Sequence, residues 1–182
     1  MGEIVLILLT DVDEKLIETL KRRLEEAFDV PVSVRYKITD LRYAYDIYRN
    51  QYKSPLILSR LQRLRKGPDD KIIGVVDVDL YSPGYEFIYG EAKQSSGTAT
   101  LSIYPLFPRN RPGRYNSEVF KQRVIREGLH EVGHLYGLGH CKKPKCLMRT
   151  CTCVQEVDAA GNSFCPGCGR RLKRLLENPN WG

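Results

Sequence analysis

Long hydrophobic runs and histidines are both scarce in this sequence of 182 residues. The most apolar stretch, IVLILL at residues 4–9, is followed directly by the acidic segment TDVDEK. Such a run is too short to cross a membrane, and no cationic start or small-residue cleavage site marks it as a signal peptide. We therefore expect a buried strand here, in a cytoplasmic protein without a membrane partner.

Low-complexity blocks, internal repeats and long linkers are also missing, so nothing divides the chain into separate units. A composition of 42% hydrophobic and 28% charged residues is typical of a globular protein. We expect one domain over residues 1–182, working as a monomer. The net charge of +7 is compatible with a nucleic-acid or acidic partner, but solvated helix faces explain the basic clusters better.

The spacing of apolar residues predicts a β-α-β opening. Strands are expected at residues 3–9 and 30–36, with helical periodicity between them. A second helix is expected at residues 56–64, and the β-branched run at residues 71–81 predicts a central strand.

A hairpin and a long helix are predicted next. Residues 85–92 and 98–104 flank the turn KQSSG, so the sheet should be mixed, with either strand at its edge. Thr and Ser alternate with apolar residues in the second of these strands, which predicts one covered face and one wetter face. After a turn at residues 108–114, Asn116 or Ser117 can cap a helix that runs to about Tyr136. The predicted fold class is α+β.

All three histidines lie within the segment HEVGHLYGLGH at residues 130–140. His130 and His134 stand at i and i+4, so a helix places both rings on one face, where they can bind one ion. Glu131 projects about one hundred degrees further round the axis and lies beside that ion. Gly137 accepts the left-handed conformation that ends the helix, after which His140 folds back as the third ligand. Three nitrogens leave a tetrahedral zinc one open position, which is typical of a catalytic site.

The reaction expected of such a site is peptide hydrolysis. Zinc would lower the pKa of a bound water to roughly 7 and polarise the scissile carbonyl. Glu131 would take the water's proton and return it to the departing amine. A bare HExxH also fits two surface histidines with a salt-bridging glutamate, but the glycine and the third histidine weigh against that alternative.

Six cysteines in a cytoplasmic protein indicate metal binding more than disulfides. The segment FCPGCG supplies Cys165 and Cys168, which form half of a four-sulfur zinc site. Two pairs compete for the other half, Cys141 with Cys146 and Cys151 with Cys153. The C-x-C spacing of the latter is tighter than the usual gap between ligands and favours the former. A redox role is the weaker alternative, because no thioredoxin-like β-α-β setting surrounds the motif.

Taken together, HEVGHLYGLGH, the nearby CKKPKCLM and the later CPGC resemble the archaemetzincins, a branch of the metzincin clan of zinc metallopeptidases. The resemblance implies that His130, His134 and His140 bind the catalytic zinc and that Glu131 is the general base. Met148 would form the Met-turn beneath the ligands. A second, structural zinc would be bound by Cys141, Cys146, Cys165 and Cys168.

The same resemblance implies how the domain is divided. Residues 1–137 would form an upper subdomain with the active-site helix, and residues 138–182 a lower one with the Met-turn and the four-cysteine site. A peptide or unfolded polypeptide would lie along an antiparallel edge strand, for which residues 85–92 are the candidate.

Two other functions fit parts of the sequence. A homologue whose cleft is blocked, for example by residues 107–114, would bind both metals without turnover. CPGCG followed by RRLKR is also typical of half a nucleic-acid zinc ribbon with a basic helix. The complete HExxHxxGxxH motif favours a peptidase over the zinc ribbon.

Overall fold

Strands and helices alternate through the first half of the chain, and helices dominate the second. The computed structural model describes residues 2–107 and 117–178. Within them the strands are β1 (Ile4–Leu8), β2 (Val32–Tyr36), β3 (Tyr45–Asp46), β4 (Gln51–Lys53), β5 (Lys71–Val76), β6 (Leu80–Tyr81), β7 (Gly90–Lys93) and β8 (Thr98–Ser102). The α-helices are α1 (Glu14–Phe28), α2 (Ser54–Gln62), α3 (Glu118–Leu135), α4 (Val154–Ala159) and α5 (Pro166–Glu177).

Five of these strands form the main sheet, in the order β2-β1-β5-β8-β7. The first four run parallel, and β7 pairs antiparallel with β8 at the edge. The mixed sheet and the α+β fold class are therefore confirmed. Among the strands that the structure describes, β7 has a neighbour on one side only, so its other side forms an open edge of the sheet.

The β-α-β opening is also confirmed. Asp13 caps α1 by accepting a hydrogen bond of 2.9 Å from the N–H of Leu16. The helix buries its apolar stripe, Leu16, Ile17, Leu20, Leu24 and Phe28. It ends at Asp29, which adopts the left-handed conformation with φ of 52°.

Helices cover both faces of the main sheet. Along β1, Leu6 and its alternate neighbours belong to the core beneath α1 and α3, whereas Val5 and Ile7 face α2. This two-residue alternation is what a strand buried on both faces requires. The sheet therefore holds α3 firmly along one face, beside β7 and β8.

The prediction of a wetter face on the second hairpin strand is wrong. Thr98, Thr100 and Ser102 are all 0% exposed, because β8 lies inside the sheet with helices on both faces. Their hydroxyls bond internally: Thr100 Oγ1 lies 2.8 Å from Ser54 Oγ, and Ser102 Oγ donates to the Val78 carbonyl at 2.6 Å. In the sequence, buried hydroxyl residues with such partners give the same alternating pattern as exposed polar residues.

Two predicted strands are shorter than expected. The run at residues 71–81 divides, because β5 ends at Val76 and β6 joins a separate three-stranded sheet in the order β3-β4-β6. In the hairpin, only Gly90–Lys93 of the first stretch pairs with β8, while Ile88 makes an isolated bridge to Leu80. The small sheet was not predicted.

The long helix α3 is confirmed and ends at Leu135, with Tyr136 as its C-cap. Ser117 occupies the N-cap position without a capping side-chain hydrogen bond. The predicted turn at residues 108–114 and the alternative cap Asn116 lie outside the described residues. Among those that the structure describes, no helix combines the length and apolar character that a membrane crossing demands.

Candidate metal centres

The three histidines meet at the C-terminal end of α3. His130 and His134 project from one face of the helix, and their Nε2 atoms are 3.0 Å apart. Gly137, with φ of +89°, reverses the chain after the helix, as expected of a glycine at this point. His140 then returns to the other two, so that one nitrogen of each ring lies within 4.8 Å of the others. The structure thus brings the predicted histidine triad together.

Two backbone carbonyl groups determine which nitrogen of His130 and of His134 can bind a metal. His130 Nδ1 donates to the Leu147 carbonyl at 2.9 Å, and His134 Nδ1 donates to the Leu138 carbonyl at 2.7 Å. A carbonyl only accepts, so each Nδ1 carries the proton and each Nε2 keeps its lone pair. Two such lone pairs 3.0 Å apart repel each other unless a cation lies between them. The donor set therefore fits a zinc ion.

Burial keeps the helix-borne imidazoles neutral. Loss of solvent, together with the nearby His134, lowers the pKa of His130 from 6.5 to about 3. Burial also lowers the pKa of His134. Both rings are thus in the form that binds metal at neutral pH.

Glu131 lies beside the triad and is 5% exposed. Its Oε2 atom has no hydrogen-bond partner in the described part of the chain. Burial, and then the charges of Glu127 and Glu91, raise its pKa well above the usual 4.5. A carboxyl group that has one oxygen without a partner among the described residues, and that holds a proton readily, is suited to proton transfer.

The Glu131 side chain rests on the edge strand. A Cβ at Gly90 of β7 would lie 2.7 Å from the Glu131 carboxyl carbon. Only a glycine at this position leaves room for the carboxylate. The sequence did not indicate this role, because it depends on how β7 and α3 pack.

A cleft of about 880 Å³ opens above the triad. One wall is formed by Ser82, residues 84–92 and Gln94, which include most of β7. The others are formed by Glu127, His130, Glu131 and His134 of α3, by residues 137–140 and 150–152, and by Arg171 of α5. The triad and Glu131 thus face a space large enough for several residues of an extended chain.

Four cysteines form a second cluster next to the triad. The Sγ atoms of Cys141, Cys146, Cys165 and Cys168 all lie within 4.8 Å of one another. The N–H of Cys165 donates to Cys146 Sγ at 3.4 Å, which is typical of a knuckle around a metal. Backbone hydrogen bonding, first of all from Cys168, lowers the Cys165 pKa to about 6. Four sulfur ligands fit a closed structural zinc site.

The competing cysteine pair lies elsewhere. Cys151 lines the cleft, and Cys153 is the N-cap of α4. The choice that spacing favoured between the two pairs agrees with this geometry. Cys141, directly after His140, connects the two clusters through the backbone.

Met148 lies beneath α3 and is fully buried. A Cβ at Gly133 would lie 2.6 Å from Met148 Sδ, so the helix and the methionine are in tight contact. The Met148 carbonyl also accepts a hydrogen bond of 2.8 Å from the N–H of Cys141. This segment therefore connects the floor of the triad with the four-cysteine cluster.

Sequence reasoning missed Arg126, which is 1% exposed. Its Nη2 atom donates to the carbonyls of Leu147, at 3.3 Å, and Arg149, at 3.0 Å, and the guanidinium pairs with Glu127. Leu147 thus accepts from both Arg126 and His130. Arg126 stands four residues before His130, on the same helix face, and this spacing was the available signal.

The mixed sheet, the histidine cluster at the C-terminal end of α3 and the adjoining four-thiol cluster together define a zinc metallopeptidase. The family model described as Peptidase family M54 matches residues 10–174. The chain belongs to this family.

Individual relatives agree with this assignment. An archaemetzincin of Pyrococcus furiosus is 36% identical over 142 residues, which cover 76% of this chain and 73% of the relative. The crystal structure of an archaemetzincin from Methanopyrus kandleri matches with a TM-score of 0.84 at 28% identity, over 97% of this chain and 96% of that one. A zinc-dependent peptidase from Methanocorpusculum labreanum gives a TM-score of 0.84 at 29% identity, over 93% and 99% of the two chains.

Proposed function

We propose that this chain hydrolyses peptide bonds in the cleft beside β7, with His130, His134 and His140 as the ligands of the catalytic zinc. One observation carries the proposal. Two neutral Nε2 atoms 3.0 Å apart lie beside a buried carboxylate whose Oε2 has no partner among the described residues. A zinc ion in the triad supplies a Lewis acid and a bound water whose pKa is lowered to about 7.

Glu131 acts as the general base. It accepts a proton from the attacking water and donates that proton to the departing amine. Its raised pKa suits both steps, because the carboxyl group must hold the proton between them. Gly90 keeps the carboxylate in place by leaving no side chain to displace it.

The substrate binds as an extra strand along β7. The outer side of this edge strand offers backbone N–H and C=O groups, and an extended peptide pairs with such an edge antiparallel to it. This arrangement places the scissile carbonyl over the triad. A chain must be extended to bind in this way, so peptides and unfolded polypeptides are the expected substrates.

The C-terminal part supports the triad from below. Met148 packs under α3, and a structural zinc in the four-cysteine cluster holds α5 and, through Cys141, the position of His140. Residues 1–137 and 138–182 then form the upper and lower parts of the cleft. A four-thiol metal site suits a reducing, cytoplasmic setting.

A digest of a mixed peptide library, read by mass spectrometry, tests the proposal. Zinc-loaded protein should cleave peptides, and Glu131→Ala should lose cleavage while it retains both metals. Glu86→Ala is the matched control, because Glu86 also lines the cleft but is exposed. Full activity in Glu131→Ala would refute the mechanism. Salt-dependent nucleic-acid binding without any cleavage would instead favour the zinc-ribbon alternative.

A further inference from the structure

Charge is distributed unequally around the cleft. Its described lining includes four glutamates, Glu86, Glu91, Glu127 and Glu131, and one cationic side chain, Arg171. Arg171 is exposed, and its side chain makes no hydrogen bond or ion pair to any residue in the described ranges. Its guanidinium is therefore free to bind a ligand in the cleft.

Contacts of α5 place Arg171 along the cleft. Leu175 stands one helical turn after Arg171, on the same face of α5. A Cβ at Gly137 would lie 3.8 Å from Leu175 Cδ1 and 2.9 Å from Gln94 Nε2. Since Gln94 follows the last residue of β7, this face of α5 lies at the C-terminal end of the edge strand.

Glu131 lies at the opposite, N-terminal end of β7. Its carboxyl group contacts Gly90, the first residue of the strand. Glu91 is the next residue, and the Ser82 hydroxyl donates to it at 3.0 Å. The strand therefore runs from the glutamates of the cleft towards Arg171.

A peptide that pairs antiparallel with β7 has its N-terminal part beside the C-terminal end of that strand. We propose that Arg171 binds the carboxylate of an Asp or Glu side chain on the N-terminal side of the scissile bond. This specificity rests on the proposed function, since it assigns a substrate preference to the same cleft. The Glu91 carboxylate, next to Gly90, opposes an acidic residue on the C-terminal side.

The chemistry of Arg171 suits this ligand. A guanidinium presents its donors in a planar fork that matches the two oxygens of a carboxylate. Because Arg171 is exposed, water and salt screen the attraction, so the preference is modest and depends on ionic strength. Arg170 projects about one hundred degrees away on the helix and does not line the cleft.

Cleavage of matched peptides tests the inference. The peptides differ by Glu or Gln at single positions before or after the scissile bond, and kcat/KM is measured with the zinc-loaded full chain. We expect Glu before the bond to be favoured about two- to fivefold at low salt, within the range of exposed ion pairs. The preference should vanish in Arg171→Gln, reverse in favour of Gln in Arg171→Glu, and persist in Arg170→Gln.

Two outcomes would overturn the inference. One is an unchanged Glu preference in Arg171→Gln. The other is an Arg171-dependent preference for Glu after the scissile bond, which would reverse the peptide direction.

A binding measurement separates this inference from the catalytic proposal. Fluorescence anisotropy with labelled Glu and Gln peptides is recorded on Glu131→Ala protein, with and without Arg171→Gln. A tighter Kd for the Glu peptide that disappears with Arg171→Gln supports the inference even where no variant cleaves peptides. Equal Kd values for both peptides would contradict it even where the wild-type protein is an active peptidase.

Discussion

The carboxyl group of Glu131 packs directly against Gly90 of the edge strand, where a Cβ would lie 2.7 Å from it. Real Cβ atoms do not approach this closely, so Gly90→Ala must displace the carboxylate. We expect kcat/KM for peptide cleavage to fall about 100-fold, because misplacement of a catalytic group by about 1 Å has an effect of that size. Zinc content should stay at the wild-type level.

Gly169→Ala is the control for this substitution, since an added Cβ there meets no heavy atom within 4 Å. Its activity should match that of the wild type. Wild-type kcat/KM in Gly90→Ala would show that Glu131 does not need its present position.

Arg126 is expected to act through His130. Both side chains donate to the Leu147 carbonyl, so loss of Arg126 leaves that acceptor less firmly held. In the double variant Arg126→Met/Glu127→Gln no unpaired buried charge remains. We expect its catalytic site to bind zinc about 10–100-fold more weakly, the usual effect of losing a group that orients a ligand. Competition with a chelator measures this affinity.

The matched control is Arg123→Met/Asp158→Asn, which removes another ion pair of α3, with N–O distances of 2.6 and 2.7 Å. The hydrogen bonds of Arg123 in the described structure go to Asp158 and the Leu106 carbonyl, not to Leu147. Equal zinc affinities of the two double variants would argue against the role given to Arg126.

Cys165→Ser tests the structural metal site independently of the catalytic one. We expect the variant to lose the structural zinc and its Tm to fall by on the order of 10 °C, because metal binding contributes directly to folding. Hydrogen exchange in α5 should accelerate. Cys151→Ser, outside the cluster, should keep both zinc ions, and loss of a metal there would reassign the ligands.

Tyr136 predicts a pH dependence of stability. Its ring stacks on Phe28 at 5.2 Å, and burial raises its pKa from 10.0 to about 12. Because the folded pKa lies above the unfolded one, the contribution to stability is complete below pH 10 and is lost as the pH rises through 12. In Tyr136→Phe this loss should be smaller by on the order of 1 kcal/mol. Urea unfolding of both proteins between pH 10 and pH 12 measures this difference. If the free energy of unfolding falls equally with pH in the wild type and in Tyr136→Phe, the raised pKa is not that of Tyr136.

The sequence predicted the elements whose evidence is local. The apolar period of α1 and the i, i+4 histidines of α3 depend on neighbours within a turn or two, and both are confirmed. The positive φ of Gly137 follows in the same way from the need to end a helix before His140.

Features set by distant contacts could not be predicted in this way. Thr100 and Ser102 look like an exposed face until their distant partners, Ser54 and Val78, are known. The roles of Gly90 and Arg126 depend on a strand and a loop that meet α3 only in the folded chain. In both cases hydrogen bonding or close packing outweighs the local pattern.

Zinc content measured by elemental mass spectrometry, together with peptide cleavage, tests the central claim most directly when wild type and His134→Ala are compared. The wild-type protein should contain two zinc ions per chain and cleave peptides. His134→Ala should lose cleavage and one zinc ion, with the four-cysteine cluster still filled. Two zinc ions in the variant, or undiminished cleavage, would contradict the assignment of the histidine triad.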